Sequence, residues 1–211
     1  MRGLDVLLAS IGLLLTAPLL VVLAILVRVT SPGPAWYRAT RVGRQGRLFG
    51  LWKLRTLAPS ASGPAITVAH DRRITPLGGL LRRTHLDELP QLWNVLRGEM
   101  ALVGPRPEDP LFVDEGDPRW TEVLALRPGL TGPTQLRFAA IERRQLRGID
   151  AERVYREHLL PQKLARDVEY VRNRTLAYDL KVLVRTGWSL IRSVASRRSA
   201  TRTGDRIHDV A

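Results

Sequence analysis

The sequence predicts an α+β protein, mostly helical, in which an N-terminal membrane helix joins a small domain holding one short β-hairpin and interfacial amphipathic helices. Three observations predict it. Residues 6–27 are 22 positions without a charge, flanked by Arg2 and Arg28. Residues 36–42 and 48–55 alternate with a period of two around Gly43-Arg44-Gln45-Gly46, a hairpin signal. Much of the remainder carries apolar residues at three- and four-residue spacing, the mark of amphipathic helices. With 211 residues the chain suits one compact domain with an appendage. The expected division is 1–30 in the membrane, 31–195 as the domain and 196–211 as a basic, disordered tail.

At ~1.5 Å per residue the uncharged run is roughly 33 Å long, enough for a ~30 Å hydrocarbon core. It is too long for a cleaved signal peptide and lacks a small-residue cleavage site. Pro18, in Thr16-Ala17-Pro18, removes a helical hydrogen bond near the centre. Two arrangements remain open: a straight single pass, or a re-entrant hairpin kinked at Ala17-Pro18 with both ends on one face. The Arg-rich bulk after Arg28 is expected on the cytoplasmic side.

Charge points to the partners. Lys and Arg number 33 against 20 Asp and Glu, a net charge of +13, so anionic partners are expected: phospholipid head groups, phosphorylated small molecules or nucleic acid. Aromatics are few and no nucleic-acid motif is present, which argues against the last. There is no cysteine, and the four histidines have no metal-ligand spacing. Lys53 and Arg55 are expected on one face of the hairpin, within a stretch from Trp36 to Arg83 that holds ten Lys/Arg and one acid, Asp71. Asp71 reads as a salt-bridge partner for its neighbours, 58–69 as a loop, and 77–83 as a short helix.

The centre of the chain is 82–107, RRTHLDELPQLWNVLRGEMALVGPRP. A helix over 86–97 is expected, with Leu86, Leu89, Trp93 and Leu96 on its apolar side and Asp87, Gln91 and Asn94 on its polar side. Thr84 and Asp87 suggest a capping box. Gly104-Pro105-Arg106-Pro107 restricts the backbone at each proline and the residue before it, which suits holding one guanidinium at a fixed angle. Arg127-Pro128-Gly129-Leu130-Thr131-Gly132-Pro133 is a second rigid turn whose N–H groups could nest an anion. Helices are expected over 152–172, interrupted by Pro161, and over 176–194. The latter carries Lys181, Arg185 and Arg192 opposite an apolar stripe, which suits core packing or a bilayer interface equally.

These parts suit phosphate chemistry at a bilayer surface. A carboxylate attacks a phosphoryl group only when the repulsion between anions is screened, by a divalent cation and by Lys/Arg clamps. Mg²⁺ suits oxygen ligands plus a diphosphate. Asp87 and Glu88 could divide the roles of nucleophile and metal ligand.

At this point the chain resembles a known family, the bacterial sugar transferases, which are monotopic polyprenyl-phosphate phosphoglycosyl transferases. The resemblance rests on SPGP, RVGRQG, LWKLRT, DRRIT, RRTHLDELPQLWNVLRGEMALVGPRP and RPGLTG in that order, over roughly 1–192. It implies transfer of a phospho-sugar from a nucleotide diphosphate sugar (a UDP-sugar) to polyprenyl phosphate, with nucleoside monophosphate released, as the first membrane step of exopolysaccharide, O-antigen or glycoprotein glycan synthesis. It implies that Asp87 forms an aspartyl-phosphosugar, that Glu88 serves with Mg²⁺, and that Lys53, Arg55, Arg83, Arg106 and Arg127 contact phosphate. It also implies a re-entrant membrane helix broken at a Ser-Pro pair, here Ala17-Pro18, in a monotopic protein of the bacterial inner membrane with a cytoplasmic catalytic domain. A homodimer is compatible with it. The competing expectations are a non-catalytic anchored protein that binds nucleic acid or acidic lipid, and a metal-dependent phosphohydrolase using the same acids with water.

Overall fold

A computed structural model describes residues 1–59, 63, 66–68, 71–114, 116–146 and 150–204, with side chains placed to residue 189 and at Arg192. The chain is mostly helical, with a two-stranded antiparallel hairpin and a second, very short parallel pair.

Helix α1, Arg2–Thr30, is the only one of the described helices long and apolar enough to cross a membrane. It runs unbroken through Ala17 and Pro18, without the hairpin turn that was one of the two arrangements expected. Thr16 Oγ1 donates to Gly12 O at 2.7 Å, one turn before the proline. Both halves of α1 rest on the domain. Arg2 donates to Val95 O and Leu96 O, and Asp5 accepts from Leu102 N at 3.1 Å. Farther along, Leu20, Leu23 and Val27 pack with Leu54 and Leu81. The other side of α1, including Leu7, Leu14, Leu15, Val22 and Val29, is exposed.

Strands β1, Trp36–Val42, and β2, Leu48–Leu54, pair in the register Trp36↔Leu54 to Val42↔Leu48. Gln45 and Gly46 take φ of 60° and 74° in the connecting turn, where glycine relieves one of two left-handed positions. Helix α2, Pro76–Thr84, starts on Thr75, whose hydroxyl accepts from Gly78 N. The expected helix over 86–97 divides into a 3-10 turn, Leu86–Glu88, and α3, Gln91–Arg97, because Pro90 cannot donate within a helix. The capping box is absent: Thr84 Oγ1 bonds back to Leu80 O and Leu81 O, and His85 begins the turn in a left-handed conformation.

Strand β3, Ala101–Val103, and β4, Gly129–Thr131, form the parallel pair. The nest expected over 127–133 is therefore corrected. Its Gly129 N donates to Pro105 O, and Thr131 O accepts from Gly104 N, so this turn is used for pairing. Only glycine permits so close an approach, since a Cβ on Gly129 would lie 2.1 Å from Gly104 N.

Helices α4, Pro118–Leu124, and α5, Pro133–Gln145, lie beyond the sequence expectations, although Asp117-Pro118 is a capping signal. The expected 152–172 helix becomes α6, Ala151–Val154, a π-helical turn, Tyr155–Leu159, and α7, Leu160–Arg172, with Pro161 in its first turn. These helices close a core around Phe112, Trp120, Phe138, Tyr155 and Leu164.

Helix α8, Leu176–Gly204, is backbone-helical past Ser196, where a disordered tail was expected; 205–211 lie outside the described residues, as does much of the 58–69 loop. Asp179 and Val182 face inward, while Leu176, Leu180, Val184 and Trp188, spaced by four, are exposed. The stripe expected on one side of α8 is thus two: one for the core and one turned outward.

Candidate active site

Asp87 and Glu88 occupy the 3-10 turn between α2 and α3, and the chain supports them unequally. Glu88 Oε1 accepts from Lys53 Nζ at 2.9 Å and from Arg106 Nη2 at 2.7 Å. Burial pushes its carboxyl up, but Arg106 and Lys53 override that and hold it well below the usual carboxylate range. Asp87 is 5% exposed, and among the described residues it is influenced by neighbouring charges rather than by a hydrogen bond. Burial raises its pKa against the pull of Lys53, with the Glu88 charge adding to the rise. One acid is pinned and ionised, and its neighbour has open lone pairs. Such a pair separates two roles.

Each cation is delivered by a different element. Lys53 lies near the end of β2, and β2 is fastened to α3 by Asn94, a fully buried residue whose Oδ1 accepts from Trp52 N while Nδ2 donates to Gly50 O. That clamp places the residue after Trp52 beside the residues before α3. Arg106 projects from the turn after β3, which the β3–β4 pair and its glycines hold. Glu108 extends that turn into the helical core, accepting from Tyr155 Oη at 2.7 Å and Lys163 Nζ at 3.0 Å.

Of the five expected phosphate contacts, Lys53 and Arg106 meet the acidic pair. Arg55 does not: its guanidinium is buried and donates to Ser31 O and Pro32 O at 2.7 Å each, tying the end of α1 to β2. Arg127 is likewise committed, its Nε donating to Gly98 O at 2.8 Å at the end of α3. Arg83 is exposed on α2. Sequence reading passed over Arg82. Burial lowers its pKa, while the nearby charges of Asp87 and Glu88 oppose that. Its Nη1 reaches Thr56 Oγ1 at 3.3 Å. The available signal was the inner side of α2, where buried Gly78 and Leu81 leave Arg82 turned toward the acids. Asp71, as expected, is a structural partner, accepting from both Nε and Nη2 of Arg73.

The polar side of the central helix is buried rather than its apolar side alone. Gln91 and Asn94 lie inside with Asp87, and Trp93, assigned to the apolar side, is 47% exposed. The reason is that α3 has α1 on one side and β2 on another. Its polar residues serve β2 and the acids, which leaves Trp93 on the outer surface.

Among the described residues no cluster of three His, Cys, Asp or Glu could cage a metal ion. The two adjacent carboxylates fit a Mg²⁺ that takes most of its ligands from water and a substrate diphosphate, the usual manner for that ion.

Comparison with known proteins gives the family of the chain. The chain is 43% identical over 195 residues to a UDP-glucose:undecaprenyl-phosphate glucose-1-phosphate transferase of Caulobacter vibrioides, covering 90% of this chain and 69% of that one. It is 35% identical over 194 residues to an exopolysaccharide production protein of Rhizobium leguminosarum bv. phaseoli, covering 88% and 92%. A UDP-glucose:undecaprenyl-phosphate glucose-1-phosphate transferase of Escherichia coli matches at 35% identity over 191 residues, of which the chain spans only 39% of the length. The bacterial sugar transferase family model matches residues 1–193. The chain belongs to the bacterial sugar transferase family.

Proposed function

We propose that this protein transfers a phospho-sugar from a nucleotide diphosphate sugar, a UDP-sugar by the names of its relatives, to polyprenyl phosphate at the cytoplasmic face of a bacterial inner membrane. The observation that carries the reading is the division of labour between neighbouring acids. Glu88 is held ionised by Lys53 and Arg106, and Asp87 is buried with its lone pairs unclaimed among the described residues.

In this reading an Asp87 oxygen attacks the sugar-linked phosphorus. The bond to the bridging oxygen breaks, and its electron pair leaves with the nucleoside monophosphate. A phosphate oxygen of the polyprenyl phosphate then attacks the same phosphorus and returns Asp87 to a carboxylate. Neither step moves a proton. Lys53, Arg106 and Arg82 neutralise phosphoryl oxygens. Asp87 and Glu88 would hold Mg²⁺, which when bound lowers the repulsion between carboxylate and diphosphate.

We place α1 as a monotopic anchor. Arg2 and Asp5 near its start and Arg28 at its end are all tied to the domain or its entry loop. A straight crossing would carry Arg2 and its partners Val95 and Leu96 to the far side. The outward residues Leu176, Leu180, Val184 and Trp188 of α8, beside Lys181, Arg185 and Arg192, suit an interface with anionic phospholipid.

Release of nucleoside monophosphate tests the reading across a panel of UDP-sugars, with membranes containing polyprenyl phosphate. Release that requires both a UDP-sugar and active protein is expected. Release of inorganic phosphate or free sugar phosphate without acceptor would instead mark a hydrolase.

A further inference from the structure

Gln91 is 1% exposed, and its Nε2 meets no hydrogen-bond partner among the described residues. An amide donor left unmet in the interior is destabilising. Its position points to a use. Gln91 opens α3 three residues after Glu88 and four after Asp87, and Leu89 and Pro90 between them are in right-handed helical conformation. Residues so spaced on helical backbone share a face. That face is turned to β2. Asn94, one turn later, grips Gly50 and Trp52, and Glu88, one turn earlier, takes Lys53. Gln91 therefore lies between two fastenings to β2, one helical turn after Asp87, a buried carboxylate with no side-chain hydrogen bond among the described residues.

We propose that Gln91 is a further catalytic residue whose Nε2 is reserved for the phosphorylated form of Asp87. When Asp87 carries the phospho-sugar, the amide donates to an oxygen of the new acyl phosphate. This rests on Asp87 being the nucleophile. The free carboxylate leaves the amide idle. The acyl phosphate adds a phosphorus and its oxygens to the side chain and extends into the amide's reach. A donor idle in the ground state and engaged in the intermediate stabilises the product side of the first transfer, which is how a fixed dipole accelerates a step.

The test is Gln91→Met, which keeps the volume and removes the amide. Covalent labelling is followed by rapid quench with radiolabelled UDP-sugar and no acceptor, and thermal unfolding is measured alongside. The expected result is a Tm equal to or above the parent, because an orphan donor has gone, with labelling slowed by about 10- to 100-fold. Gln91→Glu keeps the shape but sets an acceptor against the phosphate, and is expected to be slower still. Labelling at the parent rate in either variant overturns the proposal. So does a fall in Tm that accompanies the slowing, since the amide would then be structural. Asp87→Asn separates this failure from that of the underlying reading: a labelled Asp87→Asn protein refutes the nucleophile itself, whereas a silent one beside a fully active Gln91→Met refutes only the role of Gln91.

Discussion

Arg106 Nη2 donates to Glu88 Oε1 at 2.7 Å, joining two residues 18 positions apart in the chain. Lys53 Nζ reaches the same oxygen at 2.9 Å. Two cations on one oxygen hold Glu88 in place and make it a weak nucleophile. They also gather positive charge next to Asp87, whose own carboxylate they leave open.

Substituting the two acids therefore has opposite consequences for stability. Asp87→Asn removes a carboxyl whose charged form burial disfavours, so Tm is expected to hold or rise while transfer falls by at least about 10³-fold. Glu88→Gln strands Lys53 and Arg106 beside a neutral amide and is expected to cost about 2 kcal/mol as well as activity, less than a fully buried pair would cost. Thermal denaturation and turnover of both variants check this.

The pH profile identifies which acid matters. Asp87 must be ionised to attack, and burial raises its pKa, so kcat/KM should climb with pH along a limb above the ~3.9 of free aspartate. Lys53 is the largest influence pulling that pKa down. Lys53→Met should therefore move the limb to higher pH, whatever it does to the plateau. A limb that stays in place, or moves down, counts against Asp87.

Arg55 and Arg106 separate scaffold from site. Arg55→Lys loses the paired donation to Ser31 O and Pro32 O and should lower Tm with KM for the nucleotide-sugar within about twofold of the parent. Arg106→Lys should raise KM and lower kcat together. Steady-state kinetics beside melting curves distinguish the two patterns.

The glycines behind the Arg106 turn are sterically required. Gly129→Ala sets a methyl 2.1 Å from Gly104 N, and parting β3 from β4 should cost about 2–3 kcal/mol. Because Arg106 follows β3, activity at a temperature where the variant is folded should also fall. Chemical denaturation gives the first quantity and an assay at low temperature the second.

Asp167 provides a stability signature remote from the reaction. Burial lifts its carboxyl to about 7, against the hydrogen bond from Thr134 and the charge of Lys163. The folded state thus keeps a proton that the unfolded chain releases near 3.8. The resulting stability is full below that pH and is lost as pH rises through about 7. The parent's Tm minus that of Asp167→Asn should therefore fall as pH rises from about 5 to about 8. A difference that grows would contradict the assignment.

The hairpin, the membrane-length helix and the adjacent acids were legible because each is a local pattern. Two strands with a Gly-rich turn, an uncharged run and a dipeptide before a helix need no knowledge of what lies opposite. Where Arg55 and Arg127 would settle was not legible, because a guanidinium's partner is set by tertiary neighbours, and both donate to backbone carbonyls away from the acidic pair. The β3–β4 pair escaped notice because three residues are too few for a period to register. Which side of the 86–97 segment is buried was not legible for a different reason. It lies between α1 and β2, so its polar residues Gln91 and Asn94 are buried as well.

The most direct test of the central claim is mass spectrometry of the intact protein incubated with its UDP-sugar in the absence of polyprenyl phosphate, followed by peptide mapping. The account predicts a phospho-sugar adduct on Asp87 that disappears when polyprenyl phosphate is added. Acceptor-dependent turnover with an unmodified Asp87 throughout, or with the adduct on any other residue, would contradict it.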